Sequence, residues 1–263
     1  MTAHTPRKRF GQHFLVDNSV IAKIIDAVAP QPADVVLEIG PGLGALTGPL
    51  LDRLPRMHVV EIDRDIVAML RERWPPERLV IHQGDALRFD LAALAPRLRV
   101  VGNLPYNVST PLLFHIAAHA RVIVDGHFML QKEVVDRMVS PAGGGQYGRL
   151  SVMLQYRFRM QRLFDVAAGS FNPPPKVRSA VVRMIPLEPE ACLRAKDEGL
   201  LGRLVAQAFS RRRKTLRNAL EGYLDEAGIR EAGLDPGARP ETVDVEGFVR
   251  AADTALRRLP DAG

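Results

Sequence analysis

The chain has 263 residues, 46% hydrophobic and 25% charged, a balance that supports a sizeable buried core and excludes bulk disorder. A single cysteine, Cys192, excludes an internal disulfide and a cysteine-cluster metal site, and the lack of a run of about 18 apolar residues excludes a helical membrane span. The net charge of +6 suits a polyanionic partner or, equally, a solvated arginine-rich surface, so where the charge sits matters more than its sum.

Met1 to Leu15 is polar and basic, with Arg7, Lys8 and Arg9 ahead of Phe10 to Leu15, and contains no apolar stretch of the kind a secretory leader carries. A cytoplasmic protein is expected. Val20, Ile21, Ile24, Ile25 and Val28 share one helical stripe, which Pro30 and Pro32 close. Strand and helix then alternate. Val35–Ile39 reads as a buried strand, followed by a glycine turn and a helix to Leu54. His58–Ile62 is a second strand, with a helix over Asp65–Arg73. Leu79–His82 and Leu98–Gly102 are further strands, and Thr110–Ala118 a further helix. Val122–Val124 begins another strand that can run on to Leu130. Pro141–Gly145 is a flexible loop. Ser151–Phe158 and Lys176–Ile185 read as two strands able to form an antiparallel hairpin at the sheet edge. Pro186–Gly199 reads as a linker, and the remainder as helices over Leu200–Phe209, Leu216–Ala227 and Val245–Leu259.

This order predicts an α/β fold: a doubly wound, mostly parallel sheet with right-handed crossovers, plus a smaller all-α C-terminal domain. The expected division is residues 1–186 and 187–263.

Gly40, Gly42 and Gly44 follow the first long strand and open a helix. Glycine there permits a positive-φ turn and close approach of backbone to a ligand. Glu61, twenty-one residues past Gly40, ends the next strand, where a carboxylate can accept hydrogen bonds from two ribose hydroxyls. NAD and S-adenosylmethionine both fit such a pocket. Three features favour S-adenosylmethionine. The glycines run G-x-G-x-G rather than G-x-G-x-x-G. Glu38 puts a carboxylate beside the turn, where it suits a cation and repels a pyrophosphate. Asp85, after the third strand, can accept from an adenine amine, although it can equally cap the segment that follows. His13 and Leu15 have two readings: a staple that packs the amino terminus on the domain, or a flap that covers the cofactor.

Asn103-Leu104-Pro105-Tyr106 follows the fourth strand. Pro105 pushes Leu104 out of the α region and removes a backbone donor. The Asn103 side-chain oxygen and the Leu104 carbonyl are then two acceptors beside an aromatic face, Tyr106. An exocyclic adenine amine is a poor nucleophile because its lone pair is delocalised into the ring. Two acceptors on its N–H bonds favour a pyramidal nitrogen, and stacking holds the base in place at about 1–3 kcal/mol per base. Methyl transfer then rests mainly on positioning, with no metal. Phe171, opening Phe171-Asn172-Pro173-Pro174-Pro175-Lys176, can stack on the opposite face of the base or plug the core. Between Gly199 and Ala219 there is no acid, whereas Arg203, Arg211, Arg212, Arg213, Lys214 and Arg217 all lie there. Arg213 and Arg217 are spaced to share a helix face. Such a patch attracts phosphate without reading sequence.

Across nearly its whole length the chain resembles the KsgA (RsmA) family of ribosomal RNA adenine dimethyltransferases. The resemblance is carried by Arg9–Leu15, Glu38–Thr47, Glu61–Asp63, Gly84–Ala86, Gly102–Leu113, Gln131–Val134, Tyr147–Ser151, Phe171–Val182 and Arg212–Thr215. It implies a Rossmann-like class I methyltransferase with S-adenosylmethionine as methyl donor. The implied target is a pair of adjacent adenosines in the 3′-terminal hairpin loop of 16S rRNA, each dimethylated at N6 within the 30S subunit or its late precursor. It also implies a monomer whose cofactor is held by His13, Leu15, Gly40, Glu61, Asp85 and Asn103. The base is expected at Asn103, Leu104, Pro105, Tyr106 and Phe171. His13 departs from the asparagine frequent in relatives. Two other readings, an NAD-dependent oxidoreductase and a non-catalytic RNA-binding assembly factor, lack comparable support; no Tyr-x-x-x-Lys arrangement is evident.

Overall fold

The computed structural model describes residues 13–188 and 193–258. The chain divides into two compact units: Met1–Val135 with Phe158–Pro186, and Asp136–Arg157 with Leu187–Gly263. One boundary between the units falls after Pro186. Residues 136–157, expected in the first domain, group instead with the C-terminal helices.

In the first unit, helix α1 (Asn18–Val28) starts where the Asp17 carboxylate accepts from the Ser19 and Val20 amides. Its stripe of Val20, Ile21, Ile24, Ile25 and Val28 is buried, as the spacing requires. The strands β2 (Val36–Ile39), β3 (Met57–Glu61), β4 (Leu79–Gln83), β5 (Leu98–Asn103) and β6 (Ile123–Gln131) are parallel to one another. Helices α2 (Thr47–Arg53), α3 (Arg64–Arg73) and α4 (Ser109–Ala118) lie between them in sequence. Two antiparallel strands, β7 (Phe158–Val166) and β9 (Ser179–Pro186), complete a seven-stranded sheet of order β4-β3-β2-β5-β6-β9-β7. A separate two-stranded ribbon joins β1 (Phe14–Leu15) to β8 (Phe171–Asn172).

This order determines where a ligand can bind. The chain builds outward from β2 through β3 to β4, then returns to the other side of β2 as β5. The crossovers diverge at β2 and β5, which opens a crevice beyond the carboxyl ends of those two strands. Glu38 pairs in register with Val101, so the glycine turn after β2 and the Asn103 corner after β5 emerge side by side.

The edge hairpin forms, but not over the residues expected. Lys132–Val139 is helix α5 and Arg149–Gln155 is helix α6, and the strand begins at Phe158. Val152, Leu154, Tyr156 and Phe158 alternate as a strand would, yet Val152 and Tyr156 are also one helical turn apart. Burial decides between the periods: both pack in the helical unit's core with Leu200, Leu201, Leu204 and Phe248. The Ser151 hydroxyl accepts from the Gly148 amide and opens that helix.

Within the second unit, α7 (Glu198–Ser210) and α10 (Val245–Arg258) match the expected helices, with Leu259 outside the described residues. The single helix expected over Leu216–Ala227 is instead two short ones, α8 (Leu216–Ala219) and α9 (Glu226–Glu231), separated at Gly222, whose φ is +87°.

Candidate active site

The turn after β2 is built by residues that few side chains could replace. Gly40 has φ +68° and donates its amide to the Val60 carbonyl at 3.0 Å, tying the turn to β3. Gly44 has φ +84°, and a Cβ there would lie 2.5 Å from the Trp74 ring. The turn therefore stays low over the strand ends and leaves a cavity of about 240 Å³ above them.

Two carboxylates line that cavity on neighbouring strands. Glu38 is buried, and the Thr47 hydroxyl donates to its Oε2 at 2.6 Å. Burial, opposed by the Thr47 bond and reinforced by nearby Glu61, raises the Glu38 carboxyl to about 7. Glu61 is 7% exposed, and burial raises its pKa too. Its Oε1 accepts from the Asp63 amide at 2.8 Å. Asp85 lies farther along the same wall. Its Oδ1 accepts from the Leu87 amide at 2.9 Å, so it does cap the following 3₁₀ turn. Oδ2 accepts no hydrogen bond among the described residues. The cap and the cavity contact coexist on one side chain.

The Asn103 corner faces this wall. The Asn103 Nδ2 donates to the His13 carbonyl at 3.0 Å. A carbonyl can only accept, so this contact orients the amide and reserves Oδ1 as an acceptor. Leu104 donates its amide to the Met129 carbonyl at 3.1 Å, while its own carbonyl accepts nothing among the described residues. Asn103 Oδ1 and the Leu104 carbonyl are therefore both unsatisfied, and both residues line the cavity. Tyr106 lines it as well. Its hydroxyl is 2.6 Å from the Ser179 Oγ, and burial raises its pKa against that bond.

His13 forms the staple considered for it and also lines the cavity. Its Nδ1 donates to the Pro173 carbonyl at 2.8 Å, which staples the amino-terminal segment to the proline-rich loop. Its ring stacks against Tyr106, with centroids 5.5 Å apart and planes at 29°. His13, Leu15, Gly40, Glu61, Asp85, Asn103, Leu104, Pro105 and Tyr106 all line one cavity.

Phe171 does not. It is 3% exposed, pairs with Leu15 across the β1–β8 ribbon and belongs to the hydrophobic core. Of the two readings considered for it, the structure shows the core plug. Sequence reasoning missed Ile62, 49% exposed on the cavity wall directly after Glu61. The signal was present: an apolar residue between two acids at a strand's carboxyl end has no core to enter.

The basic run in the second unit is more compensated than its local sequence implied. Arg211 pairs with Glu221 at 2.9 Å and Arg217 with Glu226 at 2.9 Å. Arg203 and Arg212 reach Asp197 and Glu241 at 3.9 and 3.8 Å. Arg213 and Arg217 do not share a helix face, because residues 211–214 form a turn between α7 and α8. Arg213 and Lys214 are exposed and have no ion-pair partner among the described residues. Arg7, Lys8 and Arg9 lie outside the described residues.

The residues present fit an adenosine-bearing cation: a backbone turn open to close approach, a carboxylate at a strand's end that could accept from ribose hydroxyls, an apolar wall at Ile62 and a spare acceptor on Asp85. With a doubly wound sheet and an Asn-Leu-Pro-Tyr corner at its switch point, they define a class I methyltransferase that acts on an amino nitrogen. Comparison narrows this. The model for the ribosomal RNA adenine dimethylase family matches residues 3–254. The chain is 60% identical over 262 residues to Ribosomal RNA small subunit methyltransferase A of Aromatoleum aromaticum, covering 100% of this chain and 98% of that one. It is 62% identical over 251 residues to the protein of the same name from Laribacter hongkongensis, covering 95% of each. Among solved structures it is similar to a dimethyladenosine transferase from Plasmodium falciparum (TM-score 0.76, 28% identity, 91% and 96% of the two chains). It is also similar to the 23S rRNA methyltransferase ErmE (TM-score 0.70, 26% identity, 92% and 99%). The chain belongs to the ribosomal RNA adenine dimethylase family. It is thus an enzyme of ribosomal RNA adenine dimethylation, with S-adenosylmethionine as the methyl donor its family implies.

Proposed function

We propose that the enzyme dimethylates N6 of two adjacent adenosines in the 3′-terminal hairpin loop of 16S rRNA, within the small subunit or its late precursor. The relatives named for the small subunit match at about twice the identity of ErmE, which favours the small-subunit RNA over the large. No helix among the described residues is long and apolar enough to cross a membrane; the enzyme is read as a monomer working on cytoplasmic subunits.

The single observation that carries the reading is the orientation of Asn103. Its Nδ2 donates to the His13 carbonyl, which turns the amide so that Oδ1 and the Leu104 carbonyl stand as a pair of acceptors over the cavity. An exocyclic amine offers two N–H donors and satisfies both. Bonds to those hydrogens draw the nitrogen towards a tetrahedral shape and turn its lone pair outward. Gly40, Glu61, Ile62 and Asp85 would hold the adenosyl part of the donor, with His13 and Leu15 beside it, and the bound donor would supply the methyl group. Tyr106 presents the stacking face. Methylation leaves a cationic amine acidic enough to lose its proton to water, so no basic side chain is required. With Phe171 in the core, the Tyr106 face is the one available to the base. Arg213 and Lys214 supply unpaired charge for phosphate on the helical unit.

The test is incubation with labelled methyl donor and undermethylated small subunits, beside large subunits as control. Label in dimethyladenine of small-subunit RNA supports the proposal. Label confined to large-subunit RNA, or absent from adenine N6, overturns it.

A further inference from the structure

Tyr106 sits in a turn, not in a helix or strand, and a turn residue alone would hold its ring loosely. The ring is nevertheless fixed at its far end. The Tyr106 hydroxyl lies 2.6 Å from the Ser179 Oγ, and Ser179 is fully buried at the start of β9. That strand pairs with β6, where Ser179 stands opposite Gln131. β6 in turn holds the Asn103 corner, since the Met129 carbonyl accepts the Leu104 amide. The acceptor pair and the aromatic face are thus referenced to the same strand, one through Leu104 and the other through Ser179. Among the described residues, Ser179 is the single hydrogen-bonding partner of the Tyr106 hydroxyl. A buried serine hydroxyl needs a hydrogen-bonding partner, and Tyr106 is the one that meets it.

We propose that Ser179 is a positioning residue for methyl transfer: by clamping the hydroxyl end of Tyr106 to the sheet, it sets the pitch of the ring on which the target adenine stacks, relative to the acceptors on Asn103 and Leu104. This rests on the reading of Tyr106 as the base platform. His13 already covers one side of the ring, with planes at 29°, so the base has one face to use. A ring pivoting about its Cβ would carry the base nitrogen away from acceptors that cannot follow, because both belong to the backbone-anchored corner. Clamping a preorganised platform raises turnover without adding a contact to the methyl donor.

The experiment is a double-mutant cycle on methylation of undermethylated small subunits, with Ser179→Ala, Tyr106→Phe and the pair. Each single variant is expected to lower kcat roughly fivefold, within the range spanned by one neutral hydrogen bond, with the KM for S-adenosylmethionine unchanged. The double variant is expected to be no slower than either single one, because both remove the same bond. Full kcat in Tyr106→Phe, or losses that multiply in the double variant, would overturn the clamp. If Ser179→Ala fails to fold, as judged by its melting curve and donor binding, Tyr106→Phe alone decides, since it deletes the bond from the cavity side and leaves the buried strand untouched. A wild-type enzyme that methylates small subunits beside variants that match it defeats the clamp alone. A wild-type enzyme that places no label on them defeats the proposed function instead.

Discussion

Replacing Glu38 by glutamine separates the charge of this buried side chain from its shape. The carboxyl has a pKa near 7 in the folded protein against an ordinary 4.5, mainly because burial strips water from the ionised form. That difference corresponds to roughly 3 kcal/mol between the two protonation states. The sign follows from proton counting. Between pH 4.5 and 7 the folded chain holds a proton at Glu38 that the unfolded chain has lost, so this group makes stability fall as pH rises through that window, and the loss is complete above it. Glu38→Gln keeps an acceptor for the Thr47 hydroxyl and cannot ionise. At pH 4, below the ordinary value of 4.5, the variant and the parent should therefore unfold nearly alike in urea. At pH 8, without cofactor, the variant should be the more stable by up to about 3 kcal/mol. Donor binding should show the opposite preference. An ionised Glu38 attracts the cationic donor, so parental affinity should climb from pH 6 to 8, to a limit of about tenfold for one proton with a pKa near 7, while the variant's should stay flat. Urea melts and titration calorimetry with S-adenosylmethionine measure both. A variant less stable than the parent at pH 8, or one that keeps the parental slope of affinity with pH, would refute the reasoning.

Asn103→Ala should lower methyl transfer roughly a hundredfold or more while leaving small-subunit binding largely intact, read by labelled-methyl incorporation beside a filter-binding assay; equal loss of both would contradict the acceptor role. Gly102→Ala should cost roughly 1–3 kcal/mol in thermal melts, because a Cβ there would lie 2.6 Å from the Ile39 carbonyl and force β2 from β5. An unchanged melting curve would mean the two strands yield more easily than their shared register implies. Replacing Arg213 and Lys214 together by alanine should weaken subunit binding and flatten its dependence on salt by roughly one to two in the log–log slope. An unaltered slope would remove this turn from the RNA interface.

Much of the cavity was legible because its parts are local. A glycine turn between a buried strand and a helix, or a proline after an asparagine at a strand's end, is read within a few residues. The doubly wound order makes both emerge at the same sheet edge, so Gly40, Glu61, Asp85 and Asn103 could be grouped without coordinates. Ser151–Phe158 misled because a short apolar alternation fits two periods, and the choice belonged to packing against α7 and α10. Phe171 misled for a related reason: an aromatic beside prolines resembles a ligand wall until the β1–β8 ribbon draws it into the core. The basic run looked uncompensated because its acids, Glu221, Glu226 and Glu241, lie outside it in sequence.

By itself the amino-acid order determined the α/β class, the crevice at the switch point and the chemistry of an acceptor pair beside an aromatic face. Tertiary structure decided which way that chemistry points. The Asn103 amide is oriented by His13, 90 residues away, and Tyr106 is anchored by Ser179, 73 residues away. Hydrogen bonds over such separations leave no trace in local pattern, because a short stretch of sequence sets backbone shape whereas a side chain's orientation waits for the partner that folding brings to it.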